Sequence, residues 1–158
     1  MLLALFFLQG QAALAVASPL WFDGDRPAPT AGQAVDLLLA APTHGLAAPD
    51  YAAAALQQGV LRAQQGPPLE AAARAQLQQG LDAAMQRYLA DLHDGRVDPG
   101  QIHHDFNRSR RTPFDAALLW QAALQRGDLD AAVRAAVPPL SQYEQLREAL
   151  ARYRAMTG

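Results

Sequence analysis

The chain has 158 residues, 51% of them hydrophobic and only 7% aromatic, with a net charge of -2 and an isoelectric point near 6.0. That is enough material for the core of one domain, and the charge balance gives no bulk attraction to nucleic acid or to an anionic membrane surface. Cysteine is absent, which excludes disulfides, thiolate nucleophiles and Cys-based metal sites.

Residues 1–17 read MLLALFFLQGQAALAVA. Leu2 to Leu8 is continuously apolar, Gln9, Gly10 and Gln11 interrupt it, and Ala15-Val16-Ala17 has the small-x-small form of a signal-peptidase site. No Lys or Arg precedes the run. It is too short and too interrupted for a membrane span. The expectation is a signal peptide over 1–17 and one exported domain over 18–158. Ser18 to Thr30 is broken by Pro, Gly and Asp. Leu20, Trp21 and Phe22 within it read as an apolar plug against the helices that follow.

Those helices come in quick succession. Thr30 is placed to cap a helix through Ala41, with Val35, Leu38 and Leu39 on its inner face. Pro42-Thr43-His44-Gly45 breaks it. Pro49 and Asp50 then suit the first turn of a second helix, with Tyr51, Ala55 and Leu56 as a weak inner face. Gly59 and Gly66 bracket a short continuation carrying Val60 and Leu61.

From Pro67 to Pro99 the sequence predicts the spine of the domain. Leu69, Ala73, Leu77, Leu81, Met85, Tyr88, Leu89 and Leu92 recur at helical spacing. Pro67 and Pro68 suit the entry, Gly95 the exit, and Pro99 prevents continuation. At about 1.5 Å per residue the helix spans on the order of 35–40 Å. Gly80 interrupts the pattern at a cost of roughly 1 kcal/mol relative to Ala, which points to a close helix crossing or a bend.

The stretch from Asp94 to Thr112 is the most polar of the chain, and Val97, Ile102 and Phe106 are its expected anchors. Thr112 and Pro113 read as cap and first residue of the next helix, with Phe114, Leu118, Leu119 and Leu124 inward and Trp120 at the edge of the stripe. Asp128 caps another short helix through Ala136, with Leu129, Ala132 and Val133 inward. Pro138-Pro139 stops it. Ser141 to Glu144 forms a capping-box pattern before a last helix, expected to turn Leu146, Leu150, Tyr153 and Met156 inward. No stretch alternates with period two. The fold class is therefore all-α, an irregular multi-helix bundle around one long central helix.

Few residues suggest chemistry. His103, His104 and Asp105, beside Arg108, Arg110 and Arg111, are the one candidate for a metal or acid–base centre. Two adjacent His residues need further ligands, and His93 or Asp94 would have to fold back to supply them. The competing reading is a solvated loop. His93 is better explained by the helix C-terminus beside it. The Arg triplet has no recognition-helix pattern around it, so nucleic acid is not an expected partner. Ser109 and Ser141 stand near no base in sequence, and there is no phosphate-binding Gly loop, nucleophile elbow or HExxH. No catalytic residue, cofactor site or metal ligand is assigned.

Three segments in order carry a resemblance: PLWFDGDRP at Pro19–Pro27 followed by HGLAAPDY at His44–Tyr51, RYLADLHDGRVDP at Arg87–Pro99, and LSQYEQLREALARYR at Leu140–Arg154. Together they resemble the N-terminal scaffold domain of the periplasmic murein L,D-transpeptidases of Gram-negative bacteria. In that family a peptidoglycan-binding helical module and a catalytic domain accompany the scaffold. The catalytic Cys, set in a Ser-x-Gly-Cys-x-Arg pattern, forms the peptidoglycan cross-link. None of that pattern is present here, so the resemblance implies a non-catalytic part of such an enzyme, located in the periplasm. Its implied partners are the catalytic domain and the peptidoglycan-binding module, without a cofactor and without a stable membrane span. The alternatives are a stand-alone module that grips peptidoglycan or protein, perched on Trp21, Trp120 and the Arg108–Arg111 loop, and a hydrolytic or metal enzyme built on His103, His104 and Asp105.

Overall fold

The computed structural model describes residues 21–97 and 114–157. It is an all-α bundle with one minimal hairpin. Phe22–Asp23 (β1) pairs antiparallel with Arg26–Pro27 (β2). Pro29–Leu39 (α1) follows, then two 3₁₀ turns at Ala41–His44 and Ala48–Tyr51. The remaining helices are Ala53–Gln65 (α2), Ala71–Asp94 (α3), Ala116–Arg126 (α4), Leu129–Ala136 (α5) and Ser141–Thr157 (α6). α3 packs against α1, α2, α4 and α5, as a central spine should.

The spine's stripe is buried where the neighbours reach it: Leu81, Ala84, Met85, Tyr88, Leu89 and Leu92. Its first turns extend past the core. Leu77 is half-buried and Ala73 is exposed, and the helix begins at Ala71 rather than beside the prolines. Gly95 ends it at φ +75, ψ 161, an extended conformation of positive φ that side chains rarely adopt.

Gly80 marks a close crossing with α2. A Cβ there would sit 3.0 Å from Leu56 Cδ2, and one on Gly59 would sit 3.0 Å from Leu77 Cδ1. Each helix thus offers a bare backbone to the other's Leu. Gly59 lies inside a continuous α2 and does not break it, because this contact outweighs its poor helix propensity. The crossing is testable. Gly80→Ala should bring no net stability, although Ala is the better helix former by about 1 kcal/mol. In a Leu56→Ala background it should stabilise by about that amount. Equal effects in the two backgrounds, measured by urea denaturation, would refute the close approach.

Several helix starts differ from their sequence reading. α1 starts at Pro29 with Ala28 at the cap position, so Thr30 lies inside the helix. Pro already fixes the φ that a first turn needs. Pro49 and Asp50 occupy a 3₁₀ turn ahead of α2, and Ala52 (φ +51) redirects the chain between the two. α4 starts at Ala116, where the Asp115 carboxylate accepts from the Leu118 N–H at 2.9 Å, in place of a start at Pro113. Asp128 caps α5 as its sequence requires, accepting from the Ala131 N–H at 2.9 Å. α6 begins at Ser141 itself.

The hairpin, absent from the sequence reading, fixes both ends of the plug. Arg26 donates from one guanidinium nitrogen to the carbonyls of Ala63 (3.0 Å), Gln64 (3.1 Å) and Gly66 (2.6 Å), closing the C-terminal end of α2. Arg74 lies over the Phe22 ring, 4.7 Å from its centroid. Trp21 is fully buried, and Phe22 nearly so, which agrees with an apolar plug.

Candidate functional site

Two polar constellations stand out from an apolar core. In the first, Trp21 from the hairpin and Trp120 from α4 stack with ring centroids 4.7 Å apart, and both are fully buried. The Trp21 indole N–H donates to Asp82 Oδ1 at 3.0 Å, and the Trp120 indole bonds the same carboxylate. Burial pushes the Asp82 carboxyl above the ordinary aspartate range, and the two indole bonds pull it part of the way back. Asp82 follows Leu81 on the spine, a place where a carboxylate needs such donors to be tolerated. The stack shields the site from ligands. It is a structural lock between hairpin, spine and α4.

The second constellation joins α6 to the body. The turn at Pro42 sets His44 at the end of a 3₁₀ segment, where its Nδ1 and the Tyr143 hydroxyl share a hydrogen bond of 2.6 Å. Its ring lies against Tyr143 (centroids 6.1 Å apart) and meets the edge of Tyr88 at 6.5 Å. Tyr88 in turn meets Tyr51 edge to face at 5.4 Å, and Tyr51 donates to Asp91 Oδ2 at 2.8 Å. Burial, reinforced by the Arg147 charge, lowers the His44 pKa, and Glu144 opposes the shift. Burial pushes the Tyr88 phenol up to about 12 and raises Tyr143 as well. Burial also raises Tyr51, helped by its bond to Asp91. The phenols around His44 therefore stay protonated and make poor nucleophiles. Chemically this is a packed junction.

A shallow cleft lies on each side of it. One, about 300 Å³, is lined by His44, Asp130, Val133, Arg134, Glu144 and Arg147. The other, about 320 Å³, runs between Tyr143, Leu46 and the end of α3 at Asp91–Gly95. Their charges are already engaged: Arg134 with Asp128 at 3.6 Å, Arg147 with Glu144 at 3.2 Å, and Asp130 with the Gln33 amide at 2.9 Å.

The sequence candidates fare unevenly. His103, His104, Asp105, Ser109, Arg108, Arg110 and Arg111 lie outside the described residues, as do Ile102, Phe106 and the segment 1–17. Among the described residues no group of three or more His, Asp or Glu could hold a metal ion. Also among them, no helix is long and apolar enough to cross a membrane. His93 sits in the last turn of α3, stacked on Phe114 at 4.0 Å with Nδ1 3.1 Å from Asp94 Oδ1. Trp21 and Trp120 cannot form a ligand platform, because burial and mutual stacking consume both faces. Trp120 is at the centre of the core and not at the edge of its stripe. Val97 is 60% exposed and does not anchor the loop.

What remains is a packed helical body whose polar clusters tie element to element. A family model described as the scaffold domain matches residues 15–150 of this architecture. The chain belongs to the scaffold-domain family. No curated protein and no solved structure matches it. In this scaffold domain, the segments quoted from the sequence supply the junction around His44 and, of the other constellation, Trp21. Trp21 comes from the first, His44 and Tyr51 from the HGLAAPDY stretch, Tyr88 and Asp91 from the second, and Tyr143 from the third. Two residues of the scaffold domain's locks lay outside those segments: Asp82 and Trp120. Asp82 left one trace, a carboxylate between Leu81 and Met85 on an apolar stripe.

Proposed function

We propose that this scaffold domain is the non-catalytic positioning part of an L,D-transpeptidase-like cell-wall protein, working in the periplasm. It holds a catalytic domain and a peptidoglycan-binding module relative to the wall. The observation that carries the reading is the family match over residues 15–150, joined to a body whose part-buried polar contacts tie helices together. The absence of cysteine fits this division of labour, since the implied cross-linking chemistry needs a thiolate from another domain. Rigidity is the useful property. A scaffold contributes by presenting its partners at a fixed separation, and misplacement by about 1 Å can cost a reaction on the order of 100-fold.

The test is reconstitution. A catalytic domain from the same genome, expressed without its scaffold, should cross-link isolated sacculi poorly and regain activity when this chain is added. The chain alone should form no thioester with a carbapenem. An unchanged cross-linking rate at 1 mM of added chain, a concentration chosen to reach about millimolar affinity, would reject the reading.

A further inference from the structure

The last helix hangs on one turn. No described residue of α6 is buried, and the helix packs chiefly on the turn Ala41–His44. Leu150 makes an apolar contact there, with Cδ2 3.9 Å from where a Gly45 Cβ would sit. The rest of the seam is polar. Arg147 Nε donates to Thr43 O at 3.4 Å, Arg154 donates to Pro42 O, and His44 Nδ1 shares its 2.6 Å bond with the Tyr143 hydroxyl. A groove of about 470 Å³, lined by Thr43, Glu144, Arg147, Leu150 and Arg154, opens along the same seam, so the contact is not close-packed. A helix in a protein draws most of its stability from the apolar face it buries. α6 buries little, so these polar bonds decide whether it stays docked.

One of those bonds responds to a proton near neutral pH. Arg stays charged and a backbone carbonyl does not titrate, whereas an imidazole changes charge near pH 6.5, roughly. The geometry prefers the neutral ring. Burial raises the Tyr143 phenol, which keeps its proton and can donate it to an unprotonated Nδ1. A proton on that nitrogen reverses the bond: Nδ1–H must donate, and the phenol has to turn its own proton to another acceptor. The new charge also lies beside the Arg147 guanidinium, and the carbonyls of Pro42 and Thr43, which would welcome a cation at the end of the turn, already accept from Arg154 and Arg147. The other groups around the ring are engaged. From α6, Glu144 opposes Arg147 but pairs with it at 3.2 Å. From α5, Asp130 accepts from the Gln33 amide and Arg134 pairs with Asp128. From α3, Tyr88 meets the ring, Asp91 accepts from Tyr51, and Asp94 lies 3.1 Å from His93 Nδ1. Burial and Arg147 outweigh Glu144 and hold the His44 pKa below its ordinary value.

We propose that α6 is an acid-released arm, docked on the turn Ala41–His44 while the His44 ring is neutral and freed from the body when that ring is protonated. The proposal stands on this junction and does not depend on the positioning role above. Its sign follows from linkage. A docked-state value below the undocked one means that the docked arm binds fewer protons. Docking is therefore at full strength above the ordinary histidine range, and it weakens as pH falls through that range toward the docked-state value.

The experiment is amide hydrogen exchange on the full chain at about pH 8 and about pH 5, on either side of the histidine range, with intrinsic exchange rates divided out. The α6 amides should lose at least about threefold of their protection at the acid pH, while the spine amides from Leu81 to Leu92 lose none. In His44→Gln, which has no ring to titrate, acid should remove no protection from α6. A wild type whose α6 is equally protected at both pH values overturns the proposal. So does an acid loss that persists undiminished in His44→Gln. A second measurement on the wild type decides the matter should that variant fail to dock at either pH. The His44 Cε1–H signal, titrated by NMR, should give an apparent pKa below that of a free histidine side chain, about 6.5. A value at or above it means that protonation does not loosen the arm, and overturns the proposal as well.

Discussion

Replacing Trp120 with Ala should cost the domain about 3–5 kcal/mol, a fifth or more of the 5–15 kcal/mol that typically separates folded from unfolded chains. The side chain is fully buried, so the substitution removes its transfer free energy and leaves a cavity between α4, the spine and the hairpin. It also deletes the stack on Trp21 at 4.7 Å, worth about 0.5–1.5 kcal/mol beyond area burial, and frees one donor from Asp82. Urea denaturation followed by circular dichroism measures the loss. A Trp21→Phe, Trp120→Phe double-mutant cycle isolates the coupling between the rings. Independent effects in that cycle would mean that the two indoles merely share a core.

The Trp pair also marks a boundary of what the sequence made legible. Each residue was visible as apolar, yet only the fold could bring together two rings from opposite ends of the chain. Trp120 sat at the edge of its own helical stripe because that stripe was drawn against one partner helix, and the hairpin supplies a second. The hairpin was itself invisible to periodicity. Strands of two residues, Phe22–Asp23 and Arg26–Pro27, are too short for alternation to register. The spine was readable because five positions of its stripe, Leu81, Met85, Tyr88, Leu89 and Leu92, are buried and repeat over about three turns, and Gly80 was readable because Gly inside a strong helix needs a reason.

α6 failed in an instructive way. Its sequence reading turned Leu146, Leu150, Tyr153 and Met156 inward together, whereas only Leu150 faces the body, beside Gly45, and the other three are exposed. The body offers α6 the carbonyl end of a 3₁₀ turn, which prefers Arg147 and Arg154 to Leu146 and Tyr153. Helix starts were misplaced at Thr30 and Thr112 for a smaller reason. Ser, Thr and Asp compete as caps, and Pro can open a helix without one, so several neighbouring residues satisfy the same rule.

Asp82→Ala should destabilise the domain by about 2–6 kcal/mol at pH 7, because it leaves two buried indole N–H groups without an acceptor, each costing about 1–3 kcal/mol. Asp82→Asn should stay within about 1 kcal/mol of wild type, since its amide oxygen still accepts and no charge needs burying. The two substitutions separate hydrogen bonding from packing, and pH separates both from charge. The Asp82 pKa is raised in the folded state, chiefly by burial. Its stabilising effect is therefore complete below the unfolded-state value and is lost as pH rises through the folded-state value. Wild type should lose ground to Asp82→Asn between acid and neutral pH, while the gap between Asp82→Asn and Asp82→Ala stays constant. Urea midpoints for the three proteins from pH 3 to pH 7, a window bracketing the raised carboxyl, decide the matter. If Asp82→Ala and Asp82→Asn are equally stable at neutral pH, the carboxylate is not what ties hairpin, spine and α4 together, and stacking alone must hold them.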